Sequence, residues 1–479
     1  MEAFNEWLGQ VDDLVWGVPL IVLIIACGAW LTVRTRLIQV SHLGKALRFM
    51  VKNEDEGHGE VTSFGALCTA LSATIGTGNI VGVATAIAGG GPGALFWMEM
   101  AAFFGMATKY AEGLLAILYR EIDETGHVLG GPFYYIEKGM GHERILGIGN
   151  WKWLGKLFAF FGALAGVMGI GTITQINGIT SAAQNFFDPD QAGRLFTLGS
   201  GDSQTVITLT TVIAGLIVTF CVALVVIGGI QRIARVSEII VPFMAVIYVI
   251  CGLLILIFNV TAIPGALYQI FVGAFNPQAV AGGIAGVTVK IAIQKGVARG
   301  IFSNEAGLGS APIAAAAAQT KEPVRQGLVT MTGTFIDTII ICTMTGLAIV
   351  ISGGWQPELG LKGAAVTMYA FQTCLPFSAQ ISSFLLMICL VFFAFTTILG
   401  WDYYAERCLE YLTGGKMGPV KLYRWIYIAA VFVGPYLTVS AVWTIADIFN
   451  GLMALPNIIA LLALSGVVAR ETKKWVESR

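Results

Sequence analysis

The sequence predicts an all-α, polytopic membrane protein, and three observations carry that prediction. Of its 479 residues, 56% are hydrophobic and only 12% charged, whereas soluble domains are about a quarter charged. Apolar stretches long enough to cross a bilayer recur along the whole chain, at about eleven places. The basic residues, finally, fall in alternate loops rather than evenly. A net charge of −1 leaves no basic face for a nucleic acid, so the partner surface for which this chain is built is the lipid bilayer.

The first apolar run, 14–34, is too long for the core of a signal peptide, and Glu2, Glu6, Asp12 and Asp13 precede it where such a peptide is basic. It reads as a peripheral spanning helix that stays in the mature protein. Spans follow near 62–90, 93–119, 152–186, 205–229 and 237–258, then near 281–319, 327–352, 379–402, 421–442 and 447–468. "IPGALYQIFVGAF" (263–275) and "LKGAAVTMYAFQTCL" (361–375) are too short to cross and read as helices lying over the outer face. The loops 34–60, 120–151, 230–236, 320–326 and 403–420, the tail 469–479 and the helix ends beside them hold most of the Lys and Arg, among them Arg34, Arg36, Lys45, Arg48, Lys52, Arg232, Arg235, Arg407 and Lys416. The opposite side shows only Arg194 and Lys362. The positive-inside rule then predicts an outside N-terminus and a cytoplasmic C-terminus, in a multi-pass protein of the cell (inner) membrane.

Setting the first helix aside, residues 62–258 supply five spans, and residues 263–468 supply a short outer helix and five more. Five is odd, so the two sets cross the membrane in opposite senses. That predicts one transmembrane domain built as a 5+5 inverted repeat, a plan common among secondary transporters, whose sites lie where the first helix of each repeat is broken. The corresponding stretches here are "ALSATIGTGNIVGVATAI" (70–87) and "QKGVARGIFSNEAGLGSAP" (294–312).

The first stretch has the spacing G-x-G-x-x-x-G without a strand-turn-helix unit around it, which excludes a dinucleotide loop. A small-residue packing face would not need Thr77 and Asn79 among the glycines, so an unwound segment is the better reading. Unwinding frees backbone groups that must be satisfied inside the bilayer. The carbonyls from Ser72 to Ile75 suit a desolvated cation, and the amides from Gly78 to Ile80 suit a carboxylate at a positive helix end. Asn79, both donor and acceptor, serves either ligand.

In the span 281–319 of the second half, Lys290, Lys295, Arg299 and Glu305 are expensive in a membrane, and a position of Lys290 near the outer surface, with Arg299 paired to Glu305 or another acid, competes with direct ligand contact. Gly296, Gly300, Gly307 and Gly309 permit unwinding there. Asp337, inside an apolar helix, needs Arg299, Lys295, a proton or a cation. Thr396 and Thr397 suit a hard cation or bond back to their own helix; Trp401, one turn on, either walls a small pocket or belongs to an interfacial belt. Gln175 offers an amide oxygen to an ammonium group. Glu99 and Glu112 read as members of packing or gating networks. The eight cysteines stand singly and the four histidines lie in connecting stretches, so neither forms a metal site in the membrane. With no nucleophile motif either, the chain does not read as an enzyme.

"ALSATIGTGNIVGVATAIAGGGPGALFWM", "ATKYAEG", "GGPFYYIEKG" and "ARGIFSNEAGLGSAP" together resemble the alanine or glycine:cation symporter family, in the family's order and over essentially the whole chain. The resemblance implies an APC-superfamily, LeuT-like core of ten helices with one peripheral N-terminal helix. It implies inward transport of alanine or glycine with sodium as the coupling ion, no organic cofactor, and a small pocket that also suits serine. Residue by residue, it implies substrate contacts at Thr77, Gly78, Asn79, Gln175, Thr397 and Trp401. By similarity to LeuT-type sites, one sodium lies between the Ser72 and Ile75 carbonyls and the Thr396 and Thr397 hydroxyls, and a second near Asn79 and Asp337. The alternatives are a proton-coupled carrier of another small amino acid and, from a different class, a channel.

Overall fold

The computed structural model describes residues 2–52, 57–169, 171–198, 205–276, 288–437 and 439–478. Helices dominate. In chain order they are α1 (Glu2–Val15), α2 (Val18–Arg34), α3 (Ser63–Thr74), α4 (Val83–Gly90), α5 (Gly93–Leu118), α6 (Lys152–Met168), α7 (Ile173–Phe187), α8 (Leu209–Val226), α9 (Gly229–Phe258), α10 (Ile263–Phe275), α11 (Val289–Asn304), α12 (Ala311–Ala316), α13 (Pro323–Thr334), α14 (Thr343–Ser352), α15 (Ala364–Cys374), α16 (Ala379–Leu412), α17 (Met417–Val433), α18 (Val439–Ala463) and α19 (Ser465–Glu477). Wide π-turns join α3 to α4 (Gly78–Gly82) and α13 to α14 (Phe335–Cys342). Two small antiparallel hairpins, Glu121–Ile122 with Val128–Leu129 and Arg194–Leu198 with Thr205–Thr208, decorate the connections.

Among the described residues, eight helices are long and apolar enough to cross a membrane, and nine if α3 and α4, bent by 50° at their junction, count as one span. The difference from about eleven predicted spans has local causes. Span 281–319 begins on residues 281–287, outside the described ones; its described part is α11 and α12, too short singly because the helix is interrupted between them. α17 has 17 residues, just under a bilayer's worth. Span 152–186 is two helices meeting around Gly169 to Thr172, with Ile170 outside the described residues. The short helices at 263–275 and 361–375 are α10 and α15.

Burial sorts inner from outer helices. In α5, 83% of the apolar window is buried, against 28% in α8 and 33% in α9, so α5 runs through the protein interior while α8 and α9 turn Ile213, Ile217, Phe220, Phe243 and Ile257 outward. An outer wall of large apolar side chains is what lipid contact requires. α5 is flanked by α11 and α13, and this inner group holds most of the buried polar residues.

On the face bearing the basic loops, the segment before α3 and the segment after α12 are joined by isolated bridges, His58 with Thr320 and Val61 with Ala318. The Arg120 guanidinium, just past α5, donates to the carbonyls of Ala316, Ala318, Thr320 and His58 at 2.6–2.8 Å. It thereby caps the otherwise unpaired carbonyls at the end of α12.

Candidate functional site

α3 starts on an N-cap, Thr62, whose hydroxyl accepts from the Gly65 amide, and ends at Ile75, where the backbone turns extended. A Cβ on Gly76 would lie 2.5 Å from Thr397 Oγ1 and 3.3 Å from Gln175 Oε1, so only glycine lets α7 and α16 approach the break this closely. The opened backbone is partly capped: the Gly76 amide donates to Asn79 Oδ1 at 2.9 Å and the Thr77 amide to Gln175 Oε1 at 3.3 Å. Thr397 Oγ1 lies 3.4 Å from the Ile75 carbonyl. The buried Thr77 hydroxyl has no hydrogen-bond partner. A break that gathers a carbonyl, a hydroxyl and two helix-end amides, with a buried orphaned hydroxyl on its own backbone, is a place for a small polar ligand and a cation.

Asn79 also donates from Nδ2 to Asp337 Oδ1 at 2.7 Å. Asp337 accepts through Oδ2 from Ser303 at 2.9 Å and Thr338 at 2.7 Å. Neither Lys295 nor Arg299 pairs with it; Arg299 instead reaches Asp447 at 3.8 Å. Three neutral donors hold this buried carboxylate, and the buried Lys109 ammonium of α5, which the sequence reading passed over, lies within electrostatic reach of Asp337, Glu305 and Glu112.

The second interruption runs from Glu305 to Ser310, with Glu305, Gly307 and Gly309 at positive φ. Gly296 and Gly300, expected to favour unwinding, stay helical because they are where α11 packs on Ala94 and Met98 of α5. Asn304 Nδ2 donates to Thr338 and its Oδ1 accepts from the Ala306 amide. Glu305 accepts from the Trp401 indole at 2.9 Å and from Ser310, not from Arg299. Glu112 of α5 accepts from the Gly307 amide at 3.2 Å and from Asn457 at 2.7 Å, and Asn457 donates to the Gly307 carbonyl. The two interruptions adjoin, since a Cβ on Gly78 would meet Phe302 and Ser303 at 3.2–3.3 Å.

At the loop face a cavity of about 380 Å³ lies beside a charged cluster. His127 Nδ1 is 2.9 Å from Glu60 and Nε2 is 2.7 Å from Glu410, while Arg407 bonds both carboxylates at 2.8–2.9 Å. The hydrogen bonds to Glu410 and Glu60 raise the His127 pKa from 6.5 to about 9, against burial and the Arg407 charge.

The model of the Sodium:alanine symporter family matches residues 1–479. The chain belongs to the sodium:alanine symporter family. It is 46% identical over 480 residues to the sodium/alanine symporter AgcS of Methanococcus maripaludis, covering 99% of this chain and 98% of that one. It is 51% identical over 471 residues to an uncharacterized transporter of Haemophilus influenzae, covering 98% and 96%. The crystal structure of MhsT in complex with L-phenylalanine superposes with a TM-score of 0.52 at 13% identity, over 87% of this chain and 98% of MhsT. That likeness gives the fold, which is LeuT-like. This symporter-family chain is thus a multi-pass membrane amino-acid transporter and not an enzyme.

Within this transporter, Ile75, Thr77, Gly78, Gln175 and Thr397 surround one break, and Asn79 links it to Asp337. The Ser72 hydroxyl bonds the Thr69 carbonyl, which leaves the expected ligand, the Ser72 carbonyl, untouched; the Thr396 hydroxyl bonds its own helix and faces Met244 on α9, and the Thr397 hydroxyl also bonds the Phe393 carbonyl of its own helix at 3.0 Å. Trp401 is 1% exposed, which rules out an interfacial belt position. Sequence reasoning missed Ser303, Asn304, Ser310 and Asn457. Ser303 and Ser310 carried one available signal, polar residues inside a stretch already suspected of unwinding.

Proposed function

We propose that this chain is a sodium-coupled symporter carrying alanine or glycine, and to a lesser extent serine, into the cell by alternating access. The observation that carries the reading is the opened backbone at Ile75 to Thr77, where the Thr77 amide meets Gln175, the Ile75 carbonyl meets Thr397 and the Thr77 hydroxyl is buried without a partner. The Ile75 carbonyl and Thr397 hydroxyl, with the Ser72 carbonyl in support, are the ligands assigned to the coupling sodium, and Thr396 joins them only by turning from Met244; Asn79 and Asp337 hold a second cation. The amides of Gly76, Thr77 and Gly78 take the substrate carboxylate, displacing the side-chain oxygens of Asn79 and Gln175 that cap two of them. Gln175 then turns its oxygen to the substrate ammonium. Trp401, fixed by Glu305, walls the pocket against longer side chains; contacts alone discriminate one methylene by only about 10- to 200-fold, so a rigid wall is needed.

Sodium organises the break that binds substrate, so each ligand raises the other's affinity equally. The membrane potential adds about 2.3 kcal/mol per charge per 100 mV. The reading places residues 62–258 and 263–468 as inverted repeats and the basic-loop face in the cytoplasm, with the N-terminus outside. Uptake of labelled alanine into proteoliposomes tests it: a sodium gradient drives accumulation, and glycine and serine compete. Equal uptake without the gradient, or uptake driven only by a pH gradient, refutes sodium coupling.

A further inference from the structure

Asp402 of α16 is fully buried, and neither carboxylate oxygen has a hydrogen-bond partner. The ionisable groups facing it are Glu406 on its own helix and Tyr423, Arg424 and Tyr427 on α17. Each is engaged elsewhere. Arg424 holds Glu406 through Nε at 2.5 Å and Nη2 at 2.7 Å. The Tyr423 hydroxyl donates to the Ala163 carbonyl at 2.7 Å, and the Tyr427 hydroxyl lies 2.7 Å from the Ile398 carbonyl and 2.9 Å from that of Gly171. One guanidinium therefore serves two carboxyl groups, and the deeper one receives no donor. Glu406 and Arg424 line the cavity of about 380 Å³ at the loop face, and Asp402 lies one helical turn above Glu406 on the same face of α16.

We propose that Asp402 is a proton-binding site separate from the coupling-cation site, loaded while buried and unloaded through the Glu406–Arg424 pair into the loop-face cavity. An isolated carboxylate is far costlier in a dry interior than the neutral acid, and among the described residues no group of three or more His, Cys, Asp or Glu that could hold a metal ion is present. Unloading breaks the Asp402 O–H bond and delivers the proton to cavity water; Arg424 then shares its charge between Asp402 and Glu406, so no bare carboxylate is left behind. Transport through this chain consequently slows as the compartment on the loop face is acidified, whatever ion drives it. The inference rests on the amino-acid transport reading but not on sodium as the driving ion.

The test uses the full chain in proteoliposomes under a fixed driving gradient, with the pH of each compartment varied separately between about 5 and about 9. The native protein loses about three- to tenfold of its alanine uptake on acidifying the loop-face side, up to tenfold per pH unit for a single deprotonation. Asp402→Asn, fixed in the neutral form, holds uptake at the low acid-side rate at every pH and so loses that dependence, whereas His127→Gln keeps the native profile. Infrared spectra in H₂O and D₂O provide a readout without transport: the native protein has a protonated-carboxyl band that Asp402→Asn and Asp402→Ser lack. A pH profile unchanged in Asp402→Asn, or no carboxyl band lost in either variant, overturns the proposal. Loss of sodium dependence with the pH effect intact refutes only the sodium coupling above.

Discussion

His127 bridges three separate parts of the chain, with Glu60 before α3, its own hairpin, and Glu410 at the end of α16. Removing its charge should loosen all three. Its pKa of about 9 against an ordinary 6.5 corresponds to about 3.4 kcal/mol if taken at face value, at 1.36 kcal/mol per unit. The side chain is 30% exposed, however, and water screens such pairs, so the working figure is about 1–2 kcal/mol. The sign follows from the direction of the shift. A raised value means the contribution is complete below pH 6.5 and disappears as pH rises through about 9. In a thermal-unfolding series at fixed scan rate, the native protein should exceed His127→Gln by about 1–3 °C at pH 6 to 7, and the gap should close towards pH 10. A gap that stays constant, or widens at high pH, refutes the reasoning.

Gly76→Ala places a methyl 2.5 Å from Thr397 Oγ1; the overpacking should cost about 1–3 kcal/mol of stability, and sodium-dependent uptake per folded molecule should fall at least tenfold, a loss that scintillation proximity binding would also report. Asn79→Ala removes the acceptor of the Gly76 amide and a donor to Asp337. It should cost about 2–4 kcal/mol of stability and lower alanine affinity beyond that, measured by sodium-dependent thermal stabilisation. Trp401→Phe leaves the Glu305 carboxylate without its indole donor and should cost about 1–3 kcal/mol while relaxing selection against larger amino acids, read by competition with a panel of substrates.

Much of the fold was legible because lipid imposes a one-dimensional rule: long apolar runs become helices, and glycines beside polar residues in such a run mark where one opens. The break at Ile75 to Thr77 falls within "IGTGNIVG". The second break was harder to place, since glycine is used on that stretch for two purposes, close packing at Gly296 and positive φ at Gly307 and Gly309. Sequence spacing cannot separate them. The partners of the buried charges were not legible. Arg299 does pair with an acid, but with Asp447 rather than Glu305, because the left-handed turn at Glu305 aims it at Trp401, 96 positions away. Glu112 meets Asn457 across 345 positions, and no local periodicity encodes a contact at that range.

Arg120 grips carbonyls on both sides of the two bridges that join the lead-in of α3 to the exit of α12. The loop-side arms of the two interrupted helices are therefore yoked. In the alternating access proposed above, with the breaks at Ile75 and at Glu305 as pivots, turning one arm would carry the other with it, and the mechanism would have one degree of freedom where the chain trace suggests two. A transporter with two loose joints would sample states open to both sides and leak its gradient, whereas a yoked pair keeps its strokes in step.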